Sequence, residues 1–308
     1  MTLTELRYIV AVARERHFGR AAEACHVSQP TLSVAIKKLE EELGAQIFER
    51  TSAEVAMTAL GILIVEQAQR VLEESNALKH LAKHGQDPLS GPLRLGAIYT
   101  VAPYLLPSLV RVARESMPNA PLFLEENFTV RLLEMLRQGG LDCAILADPF
   151  PMAGLEVAEL YDEPFYVAVP KDHPWTERQL IGHDELKAQN TLLLGAGHCF
   201  RDHVIGVCPE LNRFGPGPTI GEQRSFEGSS LETIRQMVAG GIGITVLPRT
   251  SIPDPKTREG LIRYIPFEEP MPTRRVSLVW RKSYPRAAAM VELAKTIRRC
   301  DLPGVRLV

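Results

Sequence analysis

Apolar positions recur at three- and four-residue steps through the first 58 residues, and that spacing predicts three short helices. Leu3, Leu6, Ile9, Val10 and Ala13 form one buried face of the first. FGRAAEACHV follows as the second, and TLSVAIKKLEEELG as the third. Ser28 stands where an N-cap is needed, Pro30 where a missing N–H costs nothing, and Gly44 where the helix must end. From Thr58 to about His84 the pattern predicts one long helix, with Leu60, Ile64, Ala68, Val71, Ser75, Leu78 and Ala82 in a narrow stripe. Such a stripe asks for a partner helix. Gln86-Asp87-Pro88-Leu89-Ser90-Gly91-Pro92 then reads as a linker.

Beyond the linker the texture changes to short apolar strands separated by amphipathic helices. PLRLGAI, PLFLEEN, DCAILA, PFYVAVP, NTLLLG, GITVLP and RRVSLVW are the strands. VAPYLLPSLVRVARESMP, TVRLLEMLRQGG and SLETIRQMVAGG are the most evident helices. The alternation predicts an α/β region with parallel sheets and crossover helices. Its length, roughly 215 residues, suits one large domain or two small ones.

Composition narrows the function. Hydrophobic residues make up 45% and charged residues 23%, which suits a globular protein able to fold without staples. Lys and Arg total 35 against 37 acids, so the chain is not a generally basic nucleic-acid coat protein. The N-terminus lacks the pattern of a signal peptide, and no stretch reaches the ~18 apolar residues of a membrane span. A cytoplasmic location is expected. Five cysteines, an odd number, argue against a static disulfide framework.

Three helices with a tight turn before the third outline a helix-turn-helix, whose last helix enters the major groove. Ser28, Gln29, Pro30, Thr31 and Ser33 are small or polar enough to approach base edges and phosphates, and Lys37 and Lys38 lie within reach of phosphates. Periodicity fits a plain three-helix bundle equally well. Through Thr58 seven basic residues face eight acids, so any basic face must come from spatial sorting.

The segment FGRAAEACHVSQPTLSVAIKKLEEELGAQIFERT resembles the DNA-binding signature of LysR-type transcriptional regulators. The AA pair, the SQPTLS turn, the KKLEEELG helix end and the F-x-R opening of a wing at Arg50 carry that resemblance. It implies a winged helix-turn-helix over residues 1–58, a linker and dimerisation helix over 59–87, and a regulatory region over 88–308. The last should comprise two periplasmic-binding-protein-like subdomains, about 88–163 with 269–308, and 164–268. Homodimers pairing into homotetramers, double-stranded DNA and RNA polymerase are the implied partners. One departure stands out: Ala53 and Glu54 occupy wing positions where many relatives carry Lys or Arg. A wing glutamate repels phosphate, so weak affinity is expected.

The sharpest chemistry lies in LLLGAGHCFRDHVIGVCPEL. The third glycine of a dinucleotide fingerprint would fall on Phe200, so Gly195-Ala196-Gly197 reads instead as a strand-to-helix turn. That turn places Cys199 at a helix N-terminus, which favours a thiolate, with His198 and Arg201 as nearby donors. Cys208 is a second thiol nearby, and such a pair is the general form of a redox sensor, though two cysteines can also simply pack as small hydrophobes. If the intervening segment is helical, nine steps put the Cα atoms ~13.5 Å apart. A disulfide needs ~7 Å, so oxidation would have to remodel the segment.

Gly197-His198-Cys199-Phe200-Arg201-Asp202 with Cys208 is similar to the sensing loop of the peroxide-responsive branch of these regulators. The resemblance implies a peroxidatic Cys199 and a resolving Cys208. It further implies that Thr100, Thr129 and His198 hold peroxide, that Arg275 supports the thiolate, and that a cellular thiol reductant resets the pair. Cys25, Cys143 and Cys300 read as structural, and the histidines make no metal-ligand spacing with the thiols. The expected function is therefore a peroxide-sensing DNA-binding regulator with no cofactor or metal. A regulator answering a small organic effector in the subdomain cleft is the alternative. An enzyme is disfavoured, because no C-x-x-C reductase pair lies in the chain.

Overall fold

A computed structural model describes residues 1–50, 55–84, 89–213, 227–228, 230–253 and 260–308. The wing positions Ala53 and Glu54, the linker residues Gln86, Asp87 and Pro88, and the side chains of Arg50 and Ala82 lie outside the described residues.

Three capped helices open the chain. α1 (Leu3–Glu15) starts at Thr2, whose hydroxyl accepts the Glu5 amide at 3.2 Å while the Glu5 carboxylate takes the Thr2 amide at 2.7 Å. α2 (Phe18–Ala24) is capped by the His17 imidazole, and α3 (Gln29–Leu43) by Ser28, which accepts the Thr31 amide at 3.3 Å. Gly44 closes α3 at φ +62°. Leu6, Ile9, Val12, Ala21, Leu32, Ile36 and Leu39 fill the space between them. An antiparallel pair follows, β1 (Phe48–Arg50) and β2 (Val55–Met57). Glu40 turns inward there and accepts the amides of Ile47 and Phe48 at 2.7 and 3.1 Å, so this acid anchors the wing rather than facing solvent.

α4 (Ala59–His84) is the long helix. Thr58 accepts the Gly61 amide at 2.8 Å, and a Cβ on Gly61 would lie 2.1 Å from the Ile47 carbonyl. Only glycine lets the helix seat against the wing. The apolar stripe then divides. Ala68 is buried, and Ile64, Val65 and Leu72 pack with it on the N-terminal core, whereas Leu60, Leu63, Val71 and Leu78 are exposed. Midway along, Glu73 is buried against the C-terminal region: its Oε1 lies 2.6 Å from Arg281 Nε, and its Oε2 accepts the Ser283 hydroxyl at 2.7 Å.

The rest of the chain alternates as β3 (Leu93–Ile98), α5 (Ala102–Ser116), β4 (Leu122–Asn127), α6 (Thr129–Arg137), β5 (Cys143–Ala147) and the long β6 (Leu155–Pro170). β7 (Leu193–Leu194), α7 (Cys199–Val207), β8 (Glu227–Gly228), α8 (Leu231–Ala239), β9 (Thr245–Pro248), β10 (Ile262–Pro266), β11 (Thr273–Arg281), α9 (Ala287–Arg298) and β12 (Arg306–Leu307) complete it. The main sheet runs β10-β6-β11-β5-β3-β4, with β9 and β12 also on β6. The expectation of parallel sheets holds for only part of the sheet. β3 pairs in parallel with β4 and β5, but β6 pairs antiparallel with β9, β10, β11 and β12. β6 leaves one half of the region and β11 returns to it, so the two must run in opposite directions.

Two cores sit on either side of that crossing. One gathers Leu93 to Tyr161 with Val276 to Cys300; the other spans Phe165 to Phe267. The change falls within β6, between Tyr161 and Phe165. Groups near that point can touch both cores.

Candidate functional site

Three turns converge where the two cores meet. Thr100 lies between β3 and α5, Asn127 to Thr129 join β4 to α6, and Gly197 to Cys199 enter α7. With Ile98 and Tyr99 they line one small, partly open cavity, in which about 10 Å³ admits the centre of a water-sized molecule. That room suits one very small ligand. Four of the expected site residues, Thr100, Thr129, His198 and Cys199, therefore share one chamber. The Thr129 hydroxyl oxygen is buried there with no hydrogen-bond partner among the described residues.

Cys199 is the first residue of α7, and His198 is its N-cap. The His198 ring is buried and packs edge-on against Phe128, with centroids 4.8 Å apart, and beside Tyr99 at 5.9 Å. Gly197 holds φ +96°, and a Cβ there would press on the Phe128 ring at 3.3 Å. Glycine is required to bring the chain around this aromatic wall. Arg201 turns back and donates to the Leu194 carbonyl at 2.8 Å.

Of the two adjacent arginines it is Arg274, and not the expected Arg275, that bonds a residue of the chamber. Arg274 Nη1 donates to Thr100 Oγ1 at 2.7 Å, and its Nη2 to the Thr100 carbonyl at 3.0 Å. Its Nε donates to Glu163 Oε2 at 2.8 Å, and the side chains of this pair are fully buried. Glu163 Oε1 in turn accepts the amide of Thr250 at 2.7 Å, along with that residue's hydroxyl. The guanidinium also lies 5.0 Å from the ring centroid of Phe200 in α7. Arg275 projects from the other face of β11 to Asp162 and Glu159, at 2.8 and 2.9 Å. Successive residues of a strand point to opposite faces, which separates these neighbours completely. Alternation did not separate the two in the sequence, because Ser277 and Val279, in phase with Arg275, are as buried as Val276 and Leu278. Glu163 carried no sequence signal either.

Cys208 follows α7, is buried, and has its thiol 3.5 Å from Glu210 Oε2. All five cysteines are free thiols. Burial pushes the thiols of Cys25, Cys143, Cys208 and Cys300 up, which disfavours their thiolates. Between Cys199 and Cys208, His203 holds α7 to the first core through its Nε2, 2.6 Å from the Asp148 carbonyl, and burial pushes its imidazole below the usual range.

In the N-terminal domain, Ser28, Gln29, Pro30 and Thr31 are exposed at the start of α3, and Ser33 is half-buried. Lys37 is exposed but lies 3.8 Å from Glu41. Val34, which polarity alone passes over, is largely exposed one turn beyond Thr31 and in line with Lys38. An apolar contact on that face is what a thymine methyl accepts. No described helix is long and apolar enough to cross a membrane.

Residues 3–62 match the bacterial regulatory helix-turn-helix protein, lysR family, and residues 86–300 match the LysR substrate binding domain. A hydrogen peroxide-inducible genes activator of Pectobacterium carotovorum subsp. carotovorum is 44% identical over 298 residues, covering 97% of this chain and 96% of its own. The structure is similar to a full-length cysteine-to-aspartate variant of OxyR from Pseudomonas aeruginosa, with a TM-score of 0.76, 49% identity and coverage of 98% of this chain and 99% of that one. It is also similar to a cysteine-to-serine variant of OxyR from Corynebacterium glutamicum with hydrogen peroxide bound, with a TM-score of 0.62, 35% identity and coverage of 97% and 93%. A winged helix-turn-helix, a long connecting helix and a two-core region with a small chamber where the cores meet define a DNA-binding regulator with a sensing part. The chain belongs to the LysR family of transcription regulators, and its relatives include the OxyR proteins.

Proposed function

We propose that this regulator senses hydrogen peroxide at Cys199 and signals it through a Cys199–Cys208 disulfide. The chamber carries the reading: a thiol, an imidazole and two hydroxyls line a space for one very small molecule, and the Thr129 hydroxyl has no other described partner. An organic effector needs more room than that.

The chemistry follows from the groups present. The Cys199 sulfur attacks one peroxide oxygen as thiolate, the O–O bond breaks, and the departing hydroxide takes a proton to become water. Thr100 stabilises the leaving oxygen by donation, and Thr129 and His198 orient the molecule. The sulfenic acid left on Cys199 then condenses with Cys208, forming the S–S bond and releasing a second water. Because α7 is helical between the thiols, their Cα atoms start ~13.5 Å apart and the helix must unwind to close the bond. Unwinding removes Phe200 from Arg274 and His203 from Asp148, so the first core registers the change.

In this reading α3 reads double-stranded DNA with Gln29, Pro30, Thr31 and Ser33, while Ser28, Lys37 and Arg50 serve phosphates. The exposed residues of α4 pair chains into homodimers and homotetramers. RNA polymerase receives the signal in the cytoplasm, and a cellular thiol reductant resets it. The test is thiol trapping with peptide mapping before and after about one equivalent of peroxide. Loss of the Cys199 and Cys208 thiols together is expected. Altered DNA binding with both still reduced overturns the proposal.

A further inference from the structure

The thiol at the far end of α7 has a carboxylate of its own. Cys208 is 1% exposed, and its sulfur lies 3.5 Å from Glu210 Oε2 in the short turn Pro209–Arg213. Burial first, then the hydrogen bond to Glu210 and its charge, push this thiol up. Lys187, on the adjoining turn His183–Ala188, is a charged neighbour that feels both groups. In the resting protein Cys208 is thereby kept protonated and does not compete for peroxide. Forming a disulfide nevertheless requires that proton to leave, because sulfur attacks as thiolate.

We propose that Glu210 is the proton acceptor for Cys208 when it resolves the sulfenic acid on Cys199. The inference rests on the disulfide reading above. Glu210 is only two residues from Cys208, so it travels with the thiol when α7 unwinds. A base fixed elsewhere in the fold would be left behind. The Cys208 proton passes to the Glu210 carboxylate as the sulfur's electron pair forms the S–S bond. The S–O bond of the sulfenic acid breaks, and the departing hydroxide takes the proton back from Glu210 to leave as water. Cys208 is oxidised and the Cys199 sulfur is reduced from the sulfenic to the disulfide level.

The experiment uses the full chain, reduced, mixed with hydrogen peroxide. Sulfenic acid at Cys199 is trapped and counted by mass spectrometry, and disulfide closure is timed from about pH 6 to pH 8. For Glu210→Gln, sulfenic acid should form within about twofold of the wild-type rate, which also verifies the fold. Closure should slow by about 10- to 100-fold near pH 7 and rise about tenfold per pH unit, as for an unassisted thiol. Wild type should close at a nearly constant rate over the same range, and Glu210→Asp should recover most of it. Equal closure rates, or one pH profile shared by wild type and Glu210→Gln, overturn the proposal. A wild-type chain that forms no disulfide overturns the switch reading instead.

Discussion

Arg274 Nη1 lies 2.7 Å from Thr100 Oγ1, so the hydroxyl accepts from a permanent cation and must aim its own proton elsewhere. In the peroxide-sensing reading, that proton is offered to the molecule in the chamber. Glu163 holds the guanidinium in that pose without exposing either charge to water.

Arg274→Lys keeps the charge and loses the fork, so oxidation of Cys199 should slow by about 10- to 100-fold. Arg275→Lys, on the opposite face of β11, should stay within about twofold. Stopped-flow peroxide consumption by the two reduced variants separates the faces. Equal losses would mean that Arg275 also serves the chamber.

Hydrogen exchange should report the unwinding of α7. Amides from Arg201 to Val207 are protected by helical bonds in the reduced protein and should exchange at least about tenfold faster after oxidation. In Cys208→Ser they should remain slow even after the sulfenic acid has formed, because nothing then pulls the helix apart.

The tether at His203 makes α7 sensitive to acid. Burial favours the neutral imidazole in the folded state, so its contribution is intact above the ordinary pKa of about 6.5 and falls away as pH drops below it. His203→Gln keeps a donor for the Asp148 carbonyl and removes the titration. Thermal melts from about pH 7.5 to 5 should show wild type losing stability relative to that variant, and parallel curves would rule the effect out.

Glu73 joins the long helix to the regulatory region through Arg281 and Ser283. Glu73→Ala leaves a buried guanidinium partly uncompensated and should weaken this docking by about 3 kcal/mol, seen as early proteolysis within α4. Val71→Asp, on the exposed side, should spare the docking and reduce self-association in sedimentation. If it left the oligomer unchanged, the exposed face of α4 would not be the contact between chains.

At the other end of the chain, Thr31→Glu places a charge where α3 should meet the groove. Specific DNA binding should fall by at least about 2 kcal/mol while the fold and the oligomer persist. Val34→Ser should cost less and should relax preference at one base position. Fluorescence anisotropy on specific and scrambled duplexes reads both.

Local pattern determined much of this protein. Ser28 and Gly44 bound α3 because capping depends on a few neighbouring residues, and the nine-residue spacing of Cys199 and Cys208 already meant that a helix between them would hold the two thiols too far apart to bond. Most strands and helices from Leu93 onward were legible as short apolar runs and amphipathic stretches, though β10, β12 and the first half of β6 were not. Tertiary structure decided what period cannot carry. It cut the α4 stripe in two, because Ala68 covers its own N-terminal core while Val71 does not. It set β6 against β11 in opposite directions, since one strand leaves a core and the other returns to it. It also chose Arg274 over Arg275: two adjacent cations look alike in a string of letters, but the pleat sends one to Thr100 and the other to Asp162. Glu163 and Glu210 were invisible for the same reason, because a carboxylate's role is fixed by the donor that folding brings to it.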